Sequence, residues 1–445
     1  MQICKDAEKL INLLHQSGYK AYVVGGCVRD CIMDKMPDDY DITTSALPAQ
    51  IENVLENAGV EYVETGLKHG TVTAVINHTA YEITTFRSDG DYKDNRHPEN
   101  VSFVDDISLD LARRDFTVNA LAYNEDEGII DLYCGKQDID NKIIRAVGDP
   151  DIRFNEDALR IMRCLRFSSI LGFDIEKSTS DSVHKNKNLL CNIAVERIYA
   201  ELMKLLCGKN AEKVLTDYSD VIFTILPELA PMLGCEQNSK WHLYDVYTHT
   251  VKSIALAPKK PYLRLALLLH DAGKPFVKKT DECGVDHFKT HPKVSYDIAC
   301  KILKRLKVSN DVYNKVSTLV LIHDEHILPV YSNIKNWLRK LGDDLTLDFI
   351  DIKIADMASH NLAFAQEEYD MLKSIKNMAL DIISSNEPYR ISDLAVNGND
   401  LKEIGYIGAE IAEELERLIK CVCEDKKLNT KDKLINIAKA DKTIE

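Results

Sequence analysis

The strongest constraint on this chain is a change of hydrophobic period near Asp151. Before it, short apolar runs alternate with turn residues. AYVVGG (21–26) reads as a strand stopped by two glycines, with a helix from Cys27 to Met33 directly after it. TVTAVI and AYEITTFR read as strands joined at Asn77-His78, as in a hairpin. A helix over 6–18 precedes these elements. An extended run from Asp39 to Ser45 and a helix over ALPAQIENVLENAG lie between them, and GIIDLY follows. Beyond Asp151, apolar residues recur at helical spacing almost to the end. RFNEDALRIMRCLRFSSILGF reads as one amphipathic element and AVERIYAELMKLLCG as the next. The expected fold class is α+β, a small mixed-sheet head followed by a long all-helical body.

At 445 residues the chain exceeds a single ordinary core. The predicted divisions are a head over 1–147, a helical neck over 148–208, a helical body over 209–368 and a helical tail over 369–445. With 45% hydrophobic and 29% charged residues, the composition excludes a disordered chain. No apolar run has bilayer length, and the acidic first residues do not suit a signal peptide, so the expectation is a cytoplasmic protein with no membrane partner. The 12 cysteines are scattered at no zinc-site spacing and read as free thiols. The net charge of −15, taken alone, argues against nucleic-acid binding. Local clusters at Arg113-Arg114, at Arg160, Arg163 and Arg166, and at Lys259-Lys260 still permit a positive groove.

Three groups of residues carry chemistry. Gly25-Gly26 sits at a strand-to-helix junction, where backbone N–H groups can approach a phosphate, and Arg29 lies one turn further on. A plain turn explains the glycines equally well. Asp39 and Asp41 are spaced to project from the same side of an extended strand. Two adjacent carboxylates repel unless a cation joins them, and oxygen donors of this kind suit Mg2+. Glu82 is a third candidate for the same cluster, although Asp38-Asp39-Tyr40-Asp41 is also a simple charge run. A phosphate cradle beside a metal site fits phosphoryl transfer from a nucleotide.

The runs GGCVRDCIMDKMPDDYDITT, LARRDFTVNALAY, NEDALRIMRCLRF and AVERIYAEL stand in the order of the motifs of the class II tRNA CCA-adding enzyme and bacterial poly(A) polymerase family, which the chain resembles over roughly residues 20–205. The resemblance implies a polymerase-beta-like nucleotidyltransferase head. It implies that Gly25, Gly26 and Arg29 meet the triphosphate and that Asp39 and Asp41 hold metal. Arg113 and Arg114 would bind phosphate, with Asp115 holding the sugar or orienting Arg114. Asp157 and Arg160, three apart on the expected helix, would read the incoming base. The chemistry suits that role, because cytosine and adenine both offer an amine donor beside a ring-nitrogen acceptor, whereas uracil and guanine offer the reverse. An ordinary salt bridge is the alternative. Arg163 would support the pair or touch the primer, Glu156 would orient the arginines, and the loop 88–100, with Asp91, Tyr92, Asp94, Arg96 and His97, would help switch between C and A. The implied partners are tRNA, CTP and ATP.

Further on, WHLYDVYTHTVKSI, LALLLHDAGKP, HFKTHPKVSYD, LVLIHDEH and KIADMASHN resemble the HD metal-dependent phosphohydrolase superfamily over about 240–365. On that resemblance His249, His270, Asp271 and Asp356 would hold one divalent transition metal, His291 and His323 a second, and Lys274 would contact phosphate. The bland alternative is a set of ordinary hydrogen-bonding histidines. The functional expectation is addition of C, C and A to the 3′ end of tRNA. Poly(A) synthesis, CC-only or A-only addition, an HD-type phosphohydrolase with a regulatory head, and a noncatalytic tRNA-binding protein are the alternatives.

Overall fold

The computed structural model describes residues 1, 3–66, 70–89, 101–385 and 387–442. Contacts divide the chain into two compact units, Met1–Pro227 and Glu228–Glu445. The expected borders at 147 and 208 fall inside the first and that at 368 inside the second.

The first unit opens with α1 (Lys5–Gln16), whose buried Ala7, Leu10, Ile11 and Leu14 form the apolar stripe expected of a surface helix. Then come β1 (Ala21–Val24), α2 (Gly26–Ile32), β2 (Asp41–Thr44), α3 (Pro48–Asn57), β3 (Glu61–Gly66), β4 (Thr71–Ile76) and β5 (Thr79–Thr85). A short pair, β6 (Arg87–Asp89) and β7 (Val101–Phe103), precedes α4 (Ile107–Ala112), β8 (Leu121–Asn124) and β9 (Gly128–Asp131). Among the described residues seven of these strands form one sheet in the order β3-β4-β5-β2-β1-β8-β9. Every pairing in it is antiparallel except β2 with β5, which is parallel. Tyr22, Val24, Phe86, Leu111 and Ala122 form a buried cluster that joins the sheet to α4. The hairpin at Asn77-His78 is as expected, both residues taking positive φ (51° and 64°), the conformation of a type I′ turn.

Helix α5 (Gly135–Asn141) and β10 (Ile143–Ile144) lead to α6 (Pro150–Glu156) and α7 (Leu159–Leu171). The expected single element over 153–173 is therefore two helices. Asp157 adopts an extended backbone (φ −135°, ψ 102°) and its carboxylate accepts from the Leu159 N–H, so a helix ends and the next begins at Asp157-Ala158. Residues Asp174–Ile175 form β11, which pairs with β10, and α8 (Lys177–Asn186), α9 (Val195–Leu206), α10 (Ala211–Asp217) and α11 (Ser219–Ile225) complete the unit.

The second unit is helical, apart from the short pair β12 (Lys279–Thr280) and β13 (Asp286–His287). Its helices are α12 (Val246–Leu256), α13 (Pro261–His270), α14 (Lys274–Val277), α15 (His291–Arg305), α16 (Asn310–Ile322), α17 (Tyr331–Leu341), α18 (Asp343–Ala358), α19 (Leu362–Ser384), α20 (Gly398–Glu403), α21 (Glu410–Glu424) and α22 (Lys431–Lys442). Helix α13 is buried from Leu263 to His270, so its last residues reach the centre of the bundle. Among the described residues no helix is long and apolar enough to cross a membrane.

Candidate functional site

In the first unit, β1 runs into Gly25, which caps α2 with φ +80°, a conformation that favours glycine. A Cβ there would lie 3.1 Å from Nη1 of Arg114, so the glycine also makes room for that guanidinium. The parallel register sets Ile42 opposite Ile83, which places Asp41 and Glu82 together at the same end of β2 and β5. Asp39 lies just ahead of β2 rather than within it. All three are exposed. Even so, protein crowding around the Asp41 carboxyl, then repulsion from Asp39 and Glu82, push it up to about 6 against the pull of Arg114. The three predicted carboxylates thus act on one another electrostatically, and oxygen donors of this type suit Mg2+, but their oxygens are not gathered as tightly as the His/Asp groups of the second unit.

Arg113 and Arg114 follow α4. The buried Asp110 accepts from Arg113 Nη2 at 2.7 Å and from Arg114 Nη2 at 3.2 Å. Among the described residues the buried Nε of Arg114 has no hydrogen-bond partner, and it is Nη1 of the same guanidinium that lies beside Gly25. Arg29 does not point freely at this space. It donates to Asp30 and, at 2.6 Å, to Asn119 Oδ1. Asn119 in turn donates to Asp115, whose other oxygen takes Nε and Nη2 of Arg163 at 2.7 and 2.6 Å. Burial alone would raise the Asp115 carboxyl. Arg163, the Asn119 hydrogen bond and Arg160 overcome it and hold the group at about 2. The guanidiniums of Arg29, Arg163 and Arg166 all lie over the Phe167 ring, at 5.5, 5.4 and 4.1 Å.

Asp157 and Arg160 are near each other but are not paired. Arg160 donates through Nη1 to Glu156 (2.6 Å) and the Arg153 carbonyl, and through Nη2 to the Arg113 carbonyl (2.9 Å). These bonds use three of a guanidinium's five N–H groups. Glu156 also meets Arg153, which reaches the Ala112 carbonyl. Asp157 is approached instead by Arg197 of α9, at 3.3 Å. The predicted loop residues Asp91, Tyr92, Asp94, Arg96 and His97 lie outside the described residues. Sequence reasoning missed Asp110, Asn119, Arg153 and Arg197, because each is defined by a partner on another element rather than by spacing.

In the second unit the predicted histidines and aspartates converge. His249 Nε2 lies 2.7 Å from Asp356 Oδ1, and His270 Nε2 lies 3.3 Å from the same atom and 3.4 Å from Asp271 Oδ2. His291 and His323 approach Asp271 Oδ1 at 3.3 and 3.7 Å, and their Nε2 atoms face each other at 2.9 Å. The Nδ1 atoms of His270, His291 and His323 sit 2.6–2.8 Å from the carbonyls of Leu267, Phe288 and Val320. A carbonyl only accepts, so each Nδ1 carries a proton and fixes its ring with Nε2 turned inward, the orientation of metal-ligating histidines. In the metal-free protein burial opposes the charged form of His270, but Asp271 and Asp356 outweigh it and raise the group toward its protonated form. The Nε2 atoms of His291 and His323 need a cation or a proton between them. Burial and then His270 push His323 down to about 3, toward the neutral form that binds metal. The cluster His249, His270, Asp271, Asp356, His291 and His323 therefore fits divalent ions. Lys274 Nζ is held 2.7 Å from Asp271 and donates to Gln237. His242 and His360, not predicted, each meet the His249 ring edge-on.

A model of the poly A polymerase head domain matches residues 21–145, one described as a probable RNA and SrmB-binding site of polymerase A matches 172–233, and an HD domain model matches 242–359. The CCA-adding enzyme of Pediococcus pentosaceus is 32% identical over 435 residues, covering 97% of this chain and 96% of that protein. The chain belongs to the CCA-adding enzyme family. The CCA-adding enzyme of Limosilactobacillus reuteri is 44% identical over 249 residues, a match spanning 54% of this chain and 60% of that relative's length. The crystal structure of the Bacillus stearothermophilus CCA-adding enzyme in complex with CTP superposes with a TM-score of 0.74 at 29% identity, covering 99% of this chain and 98% of that one. The family and the α+β head-plus-HD architecture expected from the sequence are thus borne out.

Proposed function

We propose that this chain adds C, C and A from CTP and ATP to the 3′ end of tRNA, releasing pyrophosphate, in the cytoplasm. The carrying observation is the placing of Asp41 and Glu82 at the same end of the parallel strands β2 and β5, with the Gly25 turn packed against the Arg114 guanidinium. Asp39, Asp41 and Glu82 would hold Mg2+, which supplies charge neutralisation for the attacking and departing oxygens when bound. The Gly25-Gly26 amides and Arg114 bind and align the triphosphate, with Arg113 flanking it. Asp157 accepts the amine of cytosine or adenine, and the N–H groups left on Arg160 donate to the ring nitrogen, so uracil and guanine leave both groups opposed. Asp115 acts through others, fixing Arg163 directly and Arg29 through Asn119. The test is extension of tRNAs ending before CCA, after C and after CC, with each nucleotide alone and then with CTP and ATP together. Growth by C, C and A that then stops is expected, abolished in Asp41→Ala and retained in Asp271→Ala. A long A tract, or CC or A alone, overturns the full assignment.

We infer a second activity, phosphoester hydrolysis at the HD cluster, from the facing Nε2 atoms of His291 and His323. It predicts turnover of p-nitrophenyl phosphate with Mn2+ or Ni2+, lost in Asp271→Asn. No turnover with any divalent ion sinks it.

A further inference from the structure

The metal-ligand cluster of the second unit is closed on most sides. His249, His270 and Asp271 are each 1% exposed, and His291 and His323 only 7%. Asp356, His360 and His242 are its partly open members, so a ligand reaches the cluster past them. Immediately beside that opening the chain exposes an apolar patch. Trp241 is 38% exposed, Leu243 57%, Leu362 38% and Phe364 50%. Trp241 adjoins His242 in sequence and its carbonyl accepts from the N–H of Asn361, next to His360, so the patch is pinned to the entrance by backbone. The rings of Trp241 and Phe364 meet edge to face, with centroids 6.5 Å apart. Lys240 Nζ lies 4.9 Å from the first and 5.7 Å from the second.

Exposed aromatics grouped beside a polar cleft mark a binding surface more often than chance exposure. Here the surface joins π faces, a cation and an entrance lined by imidazole and carboxylate. A ligand that satisfies all three has an aromatic ring at one end and a phosphate at the other. We propose that Trp241 and Phe364 form a stacking subsite for a nucleobase, and that the second unit takes nucleotide phosphates with the base on this platform, Lys240 beside the sugar-phosphate and the phosphate toward His360 and Asp356. Base-on-aromatic stacking tolerates any base, so the subsite selects nucleotides over simple phosphate esters without choosing among bases. This rests on the HD cluster being a working phosphate site, and the experiment separates the two.

The chain has two tryptophans, so Trp337→Phe leaves Trp241 as the reporter. Its emission is followed in the full-length protein, loaded with Mg2+, during titration with adenosine monophosphate and with ribose 5-phosphate, the same ester without a base. The same titration in Asp271→Asn, which disrupts this cluster, separates quenching here from any response to nucleotide bound at the head. The expected result is saturable quenching by the nucleotide with a Kd roughly ten-fold below that of the base-free ester, and a rise of about ten-fold in the nucleotide Kd in Phe364→Ala with the ester unchanged. If Trp337→Phe does not fold, the difference in emission between the native protein and Trp241→Phe reads the same event. Equal affinity for the two ligands, or equal loss of both in Phe364→Ala, overturns the stacking subsite and leaves the phosphate site standing. No response to either ligand, with no loss of metal content in Asp271→Asn, overturns both.

Discussion

Asp115→Asn tests the network that joins Arg29, one turn past Gly25, to Arg163 on α7, the helix that also carries Arg160. The change keeps shape but removes the charge that Arg163 grips at 2.6 Å and that, through Asn119, positions Arg29. The Asp115 carboxyl is held at about 2, which is about 2 pKa units below an ordinary aspartate. At about 1.4 kcal/mol per unit, its ionised form contributes about 2–3 kcal/mol. Stripping one partner from a buried ion pair costs a similar amount, about 3–5 kcal/mol. For a unit of this size about 3 kcal/mol lowers Tm by roughly 6–12 °C. Because the folded-state pKa is depressed, the stabilisation is complete above the unfolded value near 4 and fades as pH falls toward 2. Calorimetry of full-length native and variant protein at pH 7, 5 and 3.5 should show a large gap at the first two and a smaller one at the last. A variant within 2 °C of the native protein at pH 7, or a gap unchanged at pH 3.5, would refute the assignment of Asp115 as the charged centre of the network.

Gly25→Ala forces a Cβ into the positive-φ turn and against Arg114, and should cost about 1–2 kcal/mol and raise KM for both nucleotides, measured by steady-state extension. In the metal-free protein Asp41 should titrate near pH 6 by carboxyl NMR, and Asp39→Asn should move that midpoint down; an unmoved midpoint denies the coupling. Because a proton competes for the same oxygens, Mg2+ affinity at this cluster should fall as pH drops below 6, as isothermal titration can show. Arg197→Met frees Asp157 of its flanking cation and should erode discrimination of C and A against U by about ten-fold, scored as kcat/KM ratios, with little effect on Tm. Double substitution of His291 and His323 by Ala should lower the bound divalent metal measured by elemental analysis, whereas a purely structural pair would leave it unchanged.

Much of the head's fold and of the candidate site's placement was legible because its signals are local. Gly25 needs its positive φ, the hairpin turns on Asn77-His78, and Asp41 and Glu82 lie in runs whose alternation marks strands. What was not legible depends on separation. The break between α6 and α7 is invisible to periodicity, since Asp157 and Ala158 fit a helical pattern and only the capping bond to Leu159 reveals the end. Arg29 meets Asn119, and Arg160 meets the Arg113 carbonyl, across long stretches of chain whose folding brings them together. The HD histidines were found by type and order, but the roles of His242 and His360 beside them needed the packing of α12 against α18.

The single parallel pairing in the sheet has a consequence for biogenesis. Because β2 and β5 run the same way, the chain must complete α3, β3 and β4 before Glu82 can come back beside Asp41. Closing that loop is a non-local event that a growing chain reaches late in the assembly of its sheet. On the proposed role of these carboxylates, an incompletely folded head has no assembled cation site, and competence for transfer would arrive together with the finished sheet.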